Sequence, residues 1–115
     1  MIGREDELGR MLRNLLDNAS RYARDRITVT VATSEPGTVR VEVRDDGPGI
    51  PPADRERVFE RFARADQARD RHHGGAGLGL AIARDIAVRH GGNLYAADTT
   101  SGARLVVELP QPPPT

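Results

Sequence analysis

The sequence predicts an α+β two-layer sandwich, a mostly antiparallel sheet with helices on one face. Three observations predict it. Apolar residues recur at helical spacing in 8–23 and 77–90. Strand-like segments come in pairs around turn residues, the alternating 27–33 with 39–44, and 93–98 with 104–109. Glycine clusters fall between these blocks. The chain has 115 residues, enough for one domain, and such a domain buries roughly two-thirds of its unfolded-chain surface.

The opening helix runs from Glu5 to about Arg24. Leu8, Leu12, Leu15, Leu16, Ala19 and Ala23 are spaced to form its core face, and Arg10, Arg13, Asp17, Ser20 and Arg24 its outer face. Asn14 and Asn18 stack one turn apart on a strip between the two, continued by Arg21 and Tyr22. Two amides, a guanidinium and a phenol along one edge suit a ligand with both charge and a flat ring. Ile27–Thr33 alternates β-branched residues, Ser34–Thr38 supplies Pro-Gly turn chemistry, and Val39–Arg44 completes a hairpin. Asp45–Ile50 breaks the chain sharply, and Pro51-Pro52 extends the break. Ala53–Arg64, with Val58, Phe59 and Phe62, reads as a short helical stretch, and Ala65–Gly75 as a mobile charged loop. Gly77–His90 reads as a helix capped by Gly91-Gly92. Asn93–Asp98 and Arg104–Leu109 are strands around a Thr99–Gly102 turn. Residues 1–110 are thus one domain, and 111–115 a Pro-rich tail.

Composition narrows the function. The 17 basic and 17 acidic residues cancel, so no global field points to nucleic acid or to basic partners. Every basic residue is Arg, so any phosphate-binding cation is an Arg. The absence of Cys excludes disulfides and thiolate metal sites. No apolar run approaches the ~20 residues of a membrane span, and no secretory leader is visible. The chain reads as soluble and, by default, cytoplasmic.

Two motifs carry chemistry. In Asp45-Asp46-Gly47-Pro48-Gly49-Ile50, glycines at a strand end let a flat ligand approach, and a carboxylate there can accept a hydrogen bond from an exocyclic amine. The same residues also suit an ordinary Asp-Gly turn. Gly74-Gly75-Ala76-Gly77-Leu78-Gly79-Leu80 opens a helix, whose unpaired N–H groups and dipole favour phosphate. No Lys-Ser/Thr follows these glycines and no strand directly precedes them, so neither a P-loop nor a dinucleotide fingerprint is present. The alternative is a flexible lead-in to the helix. An amide oxygen of Asn14 or Asn18 suffices for nucleotide-bound Mg²⁺, which takes only one or two protein ligands. His72, His73 and His90 lack neighbours at metal-ligand spacing, and His90 reads as a helix-dipole partner.

Taken together, these residues resemble the ATP-binding catalytic domain of bacterial two-component sensor histidine kinases, within the wider gyrase, chaperone and mismatch-repair ATPase superfamily. NLLDNASRY is similar to the N box, DDGPGI to the G1 box, ERVFERFARAD to the F box and GGAGLGLAIARDI to the G2 box, in the family's order and spacing. The resemblance covers residues 5 to 110 and implies the Bergerat fold. It implies Asn18 as the Mg²⁺ ligand, with Asn14 one turn earlier orienting phosphate, metal or water. Arg21 approaches the phosphates, Tyr22 the adenine or ribose, and Asn14, Asn18 and Arg21 form the catalytic set. Asp45 accepts the adenine amine, with Gly47, Gly49 and Ile50 shaping the base pocket. Residues 51–76 form the lid over ATP, anchored by Phe59 and Phe62, with Arg61 and Arg64 toward phosphate or a partner domain. Gly75, Gly77, Leu78, Gly79 and Leu80 cradle the phosphates.

The resemblance further implies γ-phosphoryl transfer to a histidine on a separate dimerisation domain, and through it to a response regulator. No helical His followed by an acidic residue and Pro stands in this chain, so the acceptor lies elsewhere. Two departures stand out. Where the family often has Gly-Thr before its last strand, this chain has Gly102-Ala103. A helix and strand usually precede the N-box helix, whereas this chain starts almost at that helix, as a truncated fragment or short gene product does; its sheet is then expected to show an exposed edge. The resemblance places the piece in the cytoplasm, free or as the cytoplasmic part of a membrane-bound kinase. Two other readings are a serine-kinase anti-sigma factor and a nucleotide-binding module inactive on its own.

Overall fold

A computed structural model of the chain describes residues 2–35, 37–60, 79–99 and 101–110. Helix α1 spans Ile2–Tyr22, strand β1 Ile27–Glu35 and strand β2 Thr38–Asp45. Helix α2 spans Gly79–Arg89, followed by strands β3 (Asn93–Ala96) and β4 (Ala103–Pro110). The strands form one sheet in the order β1-β2-β4-β3, and every neighbouring pair is antiparallel.

Both helices contribute to one hydrophobic core on a single face of the sheet. From α1 come Met11, Leu15 and Ala19; from α2, Leu80, Ala83, Ile86 and Ala87; from the sheet, Val41, Val43, Leu94, Leu105 and Val107. Burying a side chain such as Leu15 completely contributes roughly 1.5–3 kcal/mol. The core face of α1 differs from expectation at two positions. Met11 lies in the core, whereas Leu16 is 38% exposed. A helix advances 100° per residue, so Met11, Leu15 and Ala19 hold one stripe and Leu16 falls off its side.

The other face of the sheet is polar. Arg104 donates to Glu42, and the Tyr95 hydroxyl donates to Glu108 at 3.1 Å. These long side chains flank Val106, which is fully buried although it points away from the helices. The Arg104 guanidinium, by its hydrogen bond and its charge, holds the Glu42 carboxyl below its ordinary pKa despite partial burial.

Helix α2 ends as its glycines predict. Gly91 has φ +85°, the Gly92 N–H donates to Ala87 O at 2.9 Å, and the Gly91 N–H to Val88 O at 3.0 Å. This double bond back into the helix is a Schellman cap. His90 closes the same end. Its Nδ1 donates to Ile86 O at 2.7 Å, and its Nε2 lies 3.5 Å from Glu7.

The segment after β2 corrects one expectation. In place of a helix from Ala53 to Arg64, the structure has two single 3-10 turns, Pro52–Asp54 and Arg57–Phe59; residues 61–64 lie outside the described residues. Pro51 and Pro52 lack N–H donors, and the turns close by short bonds, Asp54 N–H to Pro51 O at 2.8 Å and Phe59 N–H to Glu56 O at 3.2 Å. Side chains hold these turns down. Val58 and Phe59 enter the core. Arg84 of α2 lies over the Phe59 ring at 4.8 Å and pairs with Glu56 at 3.0 Å, and Arg55 pairs with Asp98. The root of the expected lid is therefore fixed to α2 and to the β3–β4 connection.

Candidate functional site

The site takes shape at one end of the sheet, where β2 runs out. Asp45 is the last residue of β2, and its register partners are Ile27 of β1 and Ala103 of β4. Alternation puts Asp45 on the same face as Val41 and Val43, toward the helices. Among the described residues it is the one buried charged side chain, 7% exposed. Its Oδ1 accepts the Gly47 N–H at 2.8 Å. A buried carboxylate is costly unless hydrogen-bonded, and one backbone donor leaves the rest of its acceptor capacity for another group.

Two glycines let the backbone close around this carboxylate. A Cβ on Gly47 would lie 2.1 Å from the carbonyl oxygen of Tyr22, so the loop after β2 rests directly on the end of α1. A Cβ on Gly102, at φ +70°, would lie 1.8 Å from the carbonyl oxygen of Asp45. Tyr22, Asp45, Gly47 and Gly102 are thus brought together, and Gly49 joins them, because a Cβ there would lie 2.7 Å from Gly102 O. Ile50 is half-buried against the core.

Asn18 and Asn14 lie one and two turns before Tyr22 on α1, about 6 and 12 Å along the helix axis. Both are half-buried. The Nδ2 of Asn14 is buried, and among the described residues it has no hydrogen-bond partner. A buried amide with a spare donor is an expensive feature for a helix flank without a ligand. Arg21 is exposed and Tyr22 half-buried beside the Gly47 loop. Gly79 opens α2, and the Leu80 side chain points into the core, so only the backbone of Leu80 is available to a ligand. Arg61, Phe62, Arg64, Gly75, Gly77 and Leu78 lie outside the described residues, as does the expected lid beyond residue 60.

Sequence reasoning passed over Asp46. Its Oδ1 accepts the N–H groups of Arg24 at 2.7 Å and Asp25 at 3.1 Å, and its Oδ2 those of Asp25 and Arg26, each at 3.1 Å. Donation from Asp25 first, then Arg26 and Arg24, holds its carboxyl below its ordinary pKa. The available signal was alternation: in VRVEVRDD the period of two sends Asp45 inward and frees Asp46 to turn outward. The position of Ala103 beside Asp45 follows from strand register, which no local pattern states.

A hollow of about 350 Å³ elsewhere does not belong to this constellation. It is lined by Thr38, Gly91, Gly92, Asn93, Glu108, Leu109 and Pro110, at the opposite end of the sheet, where Thr38 pairs with Pro110. Seven residues of strand, roughly 23 Å, separate the two ends.

The chain is similar to known proteins over nearly its whole length. The profile of the histidine kinase-, DNA gyrase B-, and HSP90-like ATPases matches residues 3–113. The sensor histidine kinase CpxA of Escherichia coli is 43% identical over 111 residues, covering 96% of this chain and 24% of CpxA. The solved mycobacterial sensor histidine kinase MprB superposes with a TM-score of 0.79 at 36% identity, covering 94% of this chain and 73% of that one. Full-length ShkA, crystallised with AMPPNP, superposes at 0.77 with 33% identity over 90% of this chain and 21% of ShkA. The chain spans about a quarter of the length of the curated relatives it matches.

Proposed function

The chain belongs to the histidine kinase-, DNA gyrase B- and HSP90-like ATPase family, and on that footing we propose that it binds Mg-ATP and presents the γ-phosphoryl group to a histidine on a separate dimerisation domain, in two-component signalling. The observation that carries this reading is Asp45, a buried carboxylate that accepts the Gly47 N–H, at a strand end where two glycines let the neighbouring backbone pack closely beside the end of α1. An ionised carboxylate only accepts hydrogen bonds. It therefore favours a base edge bearing an amine, as adenine does, over one bearing a carbonyl.

The residues present fit the nucleotide and its metal. Asn14 keeps a buried amide donor without a partner among the described residues, which suits a phosphate oxygen, and the Asn18 carbonyl on the same edge would serve as the metal ligand. Bound Mg²⁺ neutralises charge on the phosphates. Asp45, Gly47, Gly49 and Ile50 orient the base, with Tyr22 beside them. Arg21 adds positive charge at the phosphate end, and the N-terminus of α2 at Gly79 adds its dipole. Arg61, Gly75, Gly77, Leu78 and the backbone of Leu80 complete the proposed phosphate cradle. Transfer of this kind depends mostly on positioning and charge stabilisation.

The phosphoacceptor comes from elsewhere. His90 is committed to Ile86 O and Glu7 at the end of α2, with only 9% of its side chain exposed. No helix among the described residues is long and apolar enough to cross a membrane, and we place the domain in the cytoplasm, where a response regulator receives the phosphoryl group from the partner histidine.

Labelled ATP and Mg²⁺, incubated with the chain and a histidine-bearing dimerisation domain, test the reading. Acid-labile, base-stable label on the partner is the expected result. Acid-stable label on a protein substrate would point instead to a serine kinase, and nucleotide binding without transfer to a binding module.

A further inference from the structure

We propose that Asp46 is a positioning residue: its carboxylate grips the backbone just past α1 and so sets the separation between the two walls of the site. The inference rests on the nucleotide reading above. One wall is the polar edge of α1, ending at Arg21 and Tyr22. The other is the loop from Asp45 to Ile50. Two contacts join them. The Gly47 backbone lies against Tyr22 O, where no Cβ fits. One residue earlier, Asp46 receives three consecutive backbone N–H groups, from Arg24, Asp25 and Arg26, at 2.7–3.1 Å across 20 to 22 residues of sequence.

The geometry asks for a carboxylate. Both oxygens are used, and Asp25 N–H lies 3.1 Å from each. The three donors belong to the turn between the last residue of α1 and the first of β1, where no helix or ladder bond holds them. Asp46 supplies their acceptor and fixes the turn's path. Both of its oxygens are engaged by the backbone after α1, so it orders the site through that turn and not by contact with the ligand. A ligand that spans both walls, with its base at Asp45 and its phosphates along α1, gains from a fixed spacing. A nucleoside, with its base at Asp45 and reaching α1 only at Tyr22, which the Gly47 contact already holds, gains less.

That difference is the test. Asp46→Asn keeps the size of the side chain but replaces one acceptor oxygen with a donor that faces donors. ATP and adenosine are titrated against wild type and variant well below the melting temperature, with shifts read by NMR. The Kd for ATP is expected to rise about fivefold or more, whereas that for adenosine changes less than about twofold. Hydrogen exchange at the amides of Arg24–Arg26 is expected to accelerate. Asp46→Glu, run in parallel, keeps the charge on a longer arm; the same split, smaller, is expected, and it supplies the comparison if Asp46→Asn does not fold. Equal losses for ATP and adenosine, or unchanged ATP affinity with only a lowered melting temperature, would overturn the positioning role. Wild type that binds neither ligand would overturn the nucleotide reading itself, and this inference with it.

Discussion

Two adjacent carboxylates divide the labour at the end of β2. Asp45 continues the inward series of Val41 and Val43 and is buried, whereas Asp46 turns outward onto the backbone after α1. Asp45→Asn retains an oxygen for the Gly47 N–H, so the fold should survive, but it turns an amide donor toward the base amine. Nucleotide Kd should rise tenfold or more, about 1.4 kcal/mol, by calorimetric titration; unchanged affinity would sink the adenine assignment. Glu42 gives a pH prediction. Its carboxyl is held low by Arg104, so the pair's stabilisation is present above the ordinary Glu value and is lost as pH falls through the lowered one. Urea midpoints measured downward from about pH 5 should fall less steeply in Glu42→Gln than in wild type. That variant should also be less stable near neutrality, by about 1 kcal/mol. The place of Asp45 at a strand end was legible from its motif; the contacts of Asp46 were not, because its donors lie 20 to 22 residues away.

Among the elements, α1 and α2 appear near where periodicity puts them, and the hairpins keep the predicted pairing. The short helical stretch expected over 53–64 takes, up to residue 60, the form of two 3-10 turns, because Val58 and Phe59 carry an apolar signal that core anchoring satisfies without a continuous helix. The edge strand β1 is the least protected element. Ile27, Val29 and Val31 are 37%, 48% and 66% exposed, although their register partners Asp45, Val43 and Val41 are buried. These aliphatics share the core face but lie beyond the cover of the helices. No charged residue interrupts Ile27–Thr33, and such an edge favours intermolecular pairing. Val31→Lys is therefore expected to lower concentration-dependent association in sedimentation velocity. An unchanged mass distribution would show that this edge is not the sticky surface.

Over the whole molecule, one core joins both helices, the sheet and the 3-10 turns. Loss of one layer exposes the others, so unfolding should be a single transition. Helix content by far-UV circular dichroism and the fluorescence of Tyr22 and Tyr95 should give coincident urea curves; separated midpoints would show α1 leaving independently. The sequence by itself determined the fold class, the order of the elements and the family, because periodicity, turn residues and motif spacing are local properties of the chain. It also proposed Asn14, Asn18, Tyr22, Asp45, Gly47 and Gly49 as one group, of which the structure brings Tyr22, Asp45, Gly47 and Gly49 into contact around Gly102. Only the tertiary structure decided that Gly102 and Ala103 abut Asp45, that Asp46 ties the end of α1, and that β1 leaves its aliphatic face open. Each of these depends on which strand lies beside which and on how far a helix reaches across the sheet. Those relations arise from packing at long range, where no local pattern in the chain records them.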